Sequence, residues 1–571
     1  MNSSIEQSPL QRIALVTLHA GYHHSSLALR SIAAFCRDEP YFDGLSIHEG
    51  LVKSSNEALF AELVEAQPRL VGFSTYLWNI QPVLRLARNL KQLVPDVQIV
   101  LGGPEAGPRG EELLANEASI DFVIDGEGEP GFRDLARWCL YGDGARERVS
   151  GLVWRDDCAG IHRNALQMLD PSQWVSPYSC GLGALDKHLV YWETSRGCPY
   201  RCTFCTSSTD RLRTASLAQV DADLAVFARL ENKTIKLLDR SFHLGAEHTL
   251  QLLERFLATP DTLRFHLELN PDRVSDQALA LFAQAPSGKF QFEIGLQTLS
   301  GPVLERIERV MDVPRGLARI RQLVALHKHP VHLDLIVGLP DEDAESCRQS
   351  LDAVFLLCAD HLQLGILKLL PGTPLRAQAE RFGYRWDAEP PYEILCHAHL
   401  SHAELMRFKH YAELLERLWN SGLARNTLAW MVGRHFDEQV SKLFDHLLTG
   451  AAQPLATDRV QPDHAFGLLA AALADLLAAD PVAAQLLLWD YAHHSLVTGR
   501  TPDWIAQRLR AAEQLFRTFG NRRMPVLELG PEAVQVINRR RQQPLAAGRY
   551  AVWAQRDRKG RPAEVLAVDA A

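Results

Sequence analysis

No apolar run in the 571-residue sequence is clean enough to cross a bilayer. The most apolar stretch, "FGLLAAALADLLAADPVAAQLLL" from Phe466, is broken by Asp475, Asp480 and Pro481, so it reads as a pair of buried helices. The N-terminal "MNSSIEQSPLQRIALV" has no positive region leading into an apolar one, so a secretory signal is not expected. An excess of basic charge is also missing: 60 Lys and Arg against 69 Asp and Glu give −9, and nothing global attracts nucleic acid or anionic lipid. The arginines at 539–541 read as a solvated turn. Ten cysteines form no regular disulfide framework, which places the chain in a reducing cytoplasm, where clustered thiols hold metal. Repeats and low-complexity tracts are absent as well. What remains is an ordinary globular composition, 47% hydrophobic and 23% charged, in a chain long enough for about three or four domains.

Residues 10–140 alternate short β-rich runs with helical stretches. The runs are "RIALVTL" (12–18), "LVGFST" (70–75), "VQIVLGG" (97–103) and "DFVID" (121–125), with helices such as 82–93 and 110–116 between them. That alternation predicts a doubly wound α/β domain with a parallel sheet, whose ligands sit beyond the carboxyl ends of the strands. Those ends carry "HAGYHHSS", "STYLWN", "GGPEAG" and "DGEGEPGF", loops that let backbone approach a ligand closely. Residues 141–188 read as a polar linker with a hairpin at "SGLVWRDDCAGIHRN". A second series follows over residues 189–382. Its strands are "LVYWETS", "TIKLLD", "RFHLEL", "FQFEIGL", "VHLDLIVGL" and "HLQLGILKLL", which predict a partial (β/α)6 barrel with chemistry at its C-terminal rim. Residues 383–571 read as mainly helical, closing in a β-hairpin near "GRYAVWAQ".

The first barrel strand runs into "SRGCPYRCTFC", with Cys198, Cys202 and Cys205 in eight residues and no fourth ligand nearby. A structural zinc site wants four protein ligands, so a distant histidine would have to complete one. Three thiolates on an iron–sulfur cluster instead leave one iron free to bind something else. The Cys-x3-Cys-x2-Cys spacing, with Phe204 before the last cysteine and "RGCP" leading in, resembles the radical S-adenosylmethionine (SAM) signature. The resemblance implies a [4Fe–4S] cluster whose open iron chelates SAM, and whose electron cleaves it to methionine and a 5′-deoxyadenosyl radical. It also implies SAM contacts along the rim: Asp239, Arg240 and Ser241 in "LLDRSF", Glu268 and Asn270 in "LELNPDR", Glu293 and Gln297 in "FEIGLQT", and Gly338 in "VGLPDE".

The preceding α/β domain resembles the cobalamin-binding domain of B12-dependent radical SAM proteins. The resemblance rests on Ser74, Thr75, Tyr76, Trp78 and Asn79, on Gly102, Gly103, Pro104 and Glu105, and on Gly126, Glu127, Gly128 and Glu129, which it implies as cofactor-binding. The Asp-x-His-x-x-Gly motif that supplies a lower axial histidine in methionine-synthase-like proteins is absent, although His19, His23 and His24 lie in the first loop. The lower face of cobalt is therefore expected to lack that histidine. The C-terminal region resembles an uncharacterised helical domain that accompanies some of these proteins. It is expected to cover the barrel mouth, with His397, His399, His402, Arg407 and His410 on a solvated face.

Together these readings point to a cobalamin-dependent radical SAM enzyme of the cytoplasm, acting on a small molecule and drawing electrons from an external flavodoxin- or ferredoxin-type donor. C-methylation of an unactivated carbon through methylcobalamin is the leading reaction. Cyclisation, rearrangement or oxidation with the same cofactors is the alternative, and a non-catalytic cobalamin- or redox-responsive binding protein stands behind it. A tRNA methylthiotransferase would need a second cysteine triplet, whereas Cys36, Cys139, Cys158 and Cys180 are scattered.

Overall fold

The computed structural model describes residues 12–207, 210–242, 247–450, 452–458, 460–494, 516–519, 522–539, 544–552 and 565–567. Its N-terminal sheet has seven strands in the order β2-β1-β3-β4-β5-β6-β7. They are β1 (Ile13–His19), β2 (Leu45–Leu51), β3 (Leu70–Ser74), β4 (Gln98–Gly102), β5 (Phe122–Ile124), β6 (Leu152–Arg155) and β7 (Ile161–Arg163). The first five pair in parallel, and β6 and β7 add antiparallel at the edge. Apolar faces of this sheet pack against helices on both sides in two separate clusters, the doubly wound arrangement. Residues read as linker thus extend the first sheet, because "LVW" at 152–154 is buried as fully as the parallel strands. The reading also passed over β2, whose "LSIHEGL" is only partly buried at the sheet edge.

The second sheet is an open half-barrel of six parallel strands in sequential order. It comprises β8 (Leu189–Trp192), then, after a two-residue ladder of β9 (Ser195–Arg196) and β10 (Arg213–Thr214), β11 (Thr234–Leu237), β12 (Arg264–Leu269), β13 (Phe290–Gln297), β14 (Val331–Val337) and β15 (His361–Ile366). Burial alternates strictly along β13 and β14. The buried set, including Phe290, Phe292, Ile294, Leu333 and Leu335, joins the main core. The other set, including Glu293, His332 and Asp334, is left half-buried on the opposite face, where an ordinary closed barrel packs branched apolar residues.

Helices after residue 400 share one continuous core with this barrel. They lie along its flank: the Trp419 ring sits 4.4 Å from Phe355 and its indole N–H donates to the Ala359 carbonyl at 3.1 Å. Asn420 donates to the Leu362 carbonyl and accepts from the Leu362 N–H, covering the free edge of β15. The expected cover over the mouth is therefore mostly a flank, and His397 is buried rather than solvated, its imidazole pushed down to about 4 by desolvation. Beyond a short antiparallel pair, β16 (Arg385–Trp386) and β17 (Ile394–Cys396), the chain closes in a four-stranded antiparallel sheet. Its strands are β18 (Phe516–Phe519), β19 (Arg522–Leu529), β20 (Gly548–Val552) and β21 (Val565–Ala567), so the closing hairpin is half of a larger sheet. Among the described residues no helix is long and apolar enough to cross a membrane.

Candidate active site

The cysteine loop leaves β8 through a turn that only glycine makes easily. Gly197 has φ +80°, and a Cβ there would stand 2.4 Å from the Arg211 carbonyl oxygen. Upstream, the turn is pinned by Asp239 at the end of β11. Its carboxylate accepts from the Thr194 N–H at 2.7 Å, the Thr194 hydroxyl at 2.5 Å and the Ser195 hydroxyl at 2.7 Å. Downstream, the Thr203 N–H donates to the Ile307 carbonyl, and Leu375 N–H to the Thr203 carbonyl, which ties the loop to the far side of the rim.

Burial pushes the Cys198 and Cys202 thiols up, against the nearby Arg309 charge that pulls both down. A metal binding these thiols would take them as thiolates, releasing their protons. Arg309 Nη1 lies 3.7 Å from Cys202 Sγ, and its Nη2 donates to Asn270 Oδ1 at 2.8 Å and to the Gly295 carbonyl. Asn270 donates in turn to Ser241 Oγ at 2.8 Å. A polar path therefore joins the cysteine loop to two of the rim positions read from sequence. Arg309 Nε and Thr203 Oγ1 are buried without a partner among the described residues. Such orphans cost about 1–3 kcal/mol each unless something supplies them. An anionic cluster with a carboxylate-bearing ligand on its open iron would do so. No three His, Cys, Asp or Glu side chains among the described residues converge on a single ion. The triplet suits a cluster, in which each thiolate meets a different iron.

Across the rim, the first domain presents the ends of β3 and β4. Tyr76 and Trp78 stack at 4.5 Å with their planes 5° apart, and Trp78 remains 43% exposed. Gly103, at φ +102°, brings bare backbone against Thr75, where a Cβ would meet the Thr75 carbonyl at 2.5 Å. A flat aromatic platform beside bare backbone fits a planar macrocycle. Tyr76 lies within electrostatic reach of Arg240 and Glu193 of the barrel, and burial pushes its phenol up.

Other residues of these loops serve the chain itself. Asn79 is fully buried, donating to the Leu18 and Ser74 carbonyls and accepting from the Tyr76 N–H. Thr75 donates to the Gly102 carbonyl at 2.7 Å and accepts from Ala106 N–H. Glu105 is buried against Tyr392 and Arg109, while Pro104 stays exposed. Gly126 is exposed and Gly128 packs against Ile32. Glu127 and Glu129 turn to the second domain: Glu129 pairs with Arg196 at 2.6 Å and Glu127 with Arg213, and both guanidinium groups lie over the Trp174 ring. Because Arg196 precedes Cys198 by two residues and also pairs with Glu193 at 3.0 Å, this network moors the cysteine loop to the first domain. Histidines of the first loop are occupied as well, His24 by the Tyr191 hydroxyl at 2.5 Å and His19 by Glu49 at 3.0 Å.

On the half-buried barrel face, Lys236 and His266 hold Glu293 at 3.1 and 2.9 Å and pull its carboxyl down to about 2, while burial and that Glu293 charge push Glu268 up to about 7. Gln297 lies beside Gly295, and Gly338 (φ +92°) receives Ile394 rather than leaving its backbone open. In the folded chain Glu268 therefore keeps its proton well above its ordinary 4.5. The folded state binds more protons than the unfolded one between about pH 4.5 and 7, so this group's contribution is complete below that window and is lost as pH rises through it. Glu268→Gln is expected to remove up to about 1.4 kcal/mol per pH unit of that slope in urea titrations. Identical slopes for the two proteins would sink the assignment.

Residues 13–136 match the B12 binding domain family and residues 192–354 the radical SAM superfamily, while residues 380–550 match a family of unknown function, DUF4080. The chain joins a B12 binding domain to a radical SAM domain. Among curated proteins, the chain is similar to the cobalamin-dependent radical SAM methyltransferase TokK of Streptomyces tokunonensis. They share 27% identity over 343 residues, 56% of this chain and 50% of that protein. It is also 25% identical over 340 residues to the 2-(S-pantetheinyl)-carbapenam-3-carboxylate methyltransferase of Streptantibioticus cattleyicolor, 56% of this chain and 49% of that one. The chain thus spans about half the length of these curated relatives. Among solved structures, the cobalamin-dependent SAM radical enzyme OxsB aligns with a TM-score of 0.61 at 15% identity, over 88% of this chain and 83% of that one. The methyltransferase TsrM of Kitasatospora setae aligns at 0.54 and 18%, over 67% and 79%. At these identities the likeness is one of fold.

Sequence reasoning named the cysteines, because their spacing is local. The local pattern "SRGCP" assigns Arg196 no role, and nothing local marks Glu193, Arg309 or Tyr392. Arg309 sits 12 residues beyond β13 and returns to the cysteines only through the fold.

Proposed function

We propose that the protein methylates an unactivated carbon of a small-molecule substrate, held between the aromatic platform of the B12 domain and the rim of the radical SAM barrel. When bound, the cluster with SAM would supply a 5′-deoxyadenosyl radical for hydrogen abstraction, and cobalamin would supply the methyl group. The observation that carries this reading is the pair of sites: Tyr76 of the platform within electrostatic reach of Arg240 and Glu193, and a three-thiol loop whose approach is pinned by Asp239 and whose Cys202 is met by Arg309. Cys198, Cys202 and Cys205 would hold the cluster. Arg309, beside Cys202, and its partner Asn270 would orient a carboxylate brought to the cluster and help exclude water from it. Tyr76, Trp78 and Gly103 would support the macrocycle. Electrons would come from an external flavodoxin- or ferredoxin-type donor.

Anaerobically reconstituted protein, supplied with hydroxocobalamin, a low-potential reductant, trideuteromethyl-SAM and a small-metabolite extract, tests the reading. Both 5′-deoxyadenosine and S-adenosylhomocysteine are expected, with a product carrying all three deuterons. 5′-Deoxyadenosine without labelled product would instead favour rearrangement or oxidation. Neither nucleoside would leave a binding protein.

A further inference from the structure

We infer that residues 389–394, where the C-terminal region begins, form a strap that fixes the loop at 102–109 of the B12 domain against the barrel, with Tyr392 as its positioning residue. The inference rests on the reading that this loop lines the cobalamin site, and it gives part of the region of unknown function a task.

The strap is itself built onto the barrel. Leu369 N–H donates to the Tyr392 carbonyl at 3.0 Å, Ile394 N–H donates to the Leu367 carbonyl at 3.1 Å, and Lys368 bridges Glu393, so the segment runs beside the continuation of β15. Ile394 seats on the bare Cα of Gly338, where a Cβ would be 2.2 Å away. From that base Tyr392, 1% exposed, crosses into the first domain. Its hydroxyl donates to Glu105 Oε1 and accepts from Arg109 Nη1 at 2.8 Å, while Arg109 also binds Glu105 at 2.7 Å. Arg376 of the barrel side lies over the Tyr392 ring at 4.7 Å. Two further contacts flank this node. Gly372 (φ +78°) offers bare backbone to Pro108, and Gln81 donates to Glu389 at 2.8 Å.

Glu105 is 3% exposed, and a carboxylate so deeply buried persists only with partners. One of its two comes from the strap. Without Tyr392, Glu105 must turn toward water and carry with it the loop that Gly103 and Thr75 hold at the platform. The acid in "GGPEAG" is thus an anchor, and Gly103 beside it packs its bare backbone on Thr75.

Hydrogen exchange on the cobalamin-free, full-length protein tests the strap directly. Tyr392→Phe is expected to speed exchange of peptides spanning 102–109 by about 10-fold while leaving peptides of the cysteine loop unchanged. Hydroxocobalamin titration followed by visible absorption reads the consequence. Tyr392→Phe and Glu105→Ala should each weaken binding by about 5–10-fold, and the double variant should be no worse than either single one. Glu105→Gln keeps an acceptor oxygen and should bind within about 2-fold of the parent. Should Tyr392→Phe not fold, Glu105→Ala carries both measurements. Unchanged exchange, unchanged affinity, or additive losses overturn the inference. If the parent protein binds no hydroxocobalamin, the functional reading falls, and the exchange result still decides whether the strap holds the loop.

Discussion

Cys202→Ser protein, reconstituted anaerobically with iron and sulfide, is expected to lose the charge-transfer absorbance of a [4Fe–4S] cluster and to cleave SAM more than about 100-fold more slowly. Outer-sphere partners of metal ligands are already worth 10–100-fold, and Cys202 is itself a proposed ligand. The residue is only 6% exposed and burial raises its thiol despite the Arg309 charge beside it, so a bound metal would supply the rest of what its ionisation needs. Serine has neither the soft donor nor the low pKa, and no other cysteine stands in the triplet to replace it. Cys158→Ser is the matched control: it lies exposed in the turn between β6 and β7 and should leave both readouts at parent levels. A Cys202→Ser protein that keeps the reduced-cluster electron paramagnetic resonance signal would remove the cluster from this loop and the radical reading with it.

Asp239→Ala is expected to lower stability by about 3–5 kcal/mol, a fall in melting temperature of roughly 6–20 °C for a domain of this size. Three donors from Thr194 and Ser195 converge on this buried carboxylate, and alanine leaves all of them in the protein interior without an acceptor. Burial pushes the Asp239 carboxyl up, and the Thr194 and Ser195 donors oppose it by favouring the charged form. Asp239→Asn keeps one acceptor oxygen and should lose about 1–2 kcal/mol. Since the pinned turn leads straight to Cys198, cluster loading should fall together with stability. The alternative, taken from family resemblance, is that Asp239 contacts the SAM amino group. Under that alternative the melting temperature would stay put while SAM binding weakened, and the two outcomes are separable by calorimetry and equilibrium binding.

The residues that the sequence makes legible are those whose neighbours are close along the chain. Cys198, Cys202 and Cys205 are one example, and the alternating buried and half-buried positions of β13 and β14 are another. The glycine at Gly103 announces a close backbone approach for the same reason. Glu127 and Glu129 show the limit. Their motif marks a strand-end loop correctly, yet their charges are met by Arg213 and Arg196, 86 and 67 positions away. No local pattern distinguishes an acid that faces a ligand from one that faces another domain. Glu105 and Tyr392 are 287 positions apart, and Gly338 and Ile394 meet because the strap folds back along β15. The weak edge strand β2 and the hairpin β6–β7 escaped or changed place because an edge position asks little of sequence beyond partial burial.

The two α/β units, most of their strands and the three-thiol loop were written in the primary structure, because period-2 and period-3.6 burial and short-range ligand spacing are local properties of a chain. Which acids anchor and which face the pocket was settled only by folding. A buried charge takes whatever partner three-dimensional packing brings within hydrogen-bond distance, and for Glu105, Glu127 and Glu129 one such partner comes from beyond the B12 domain.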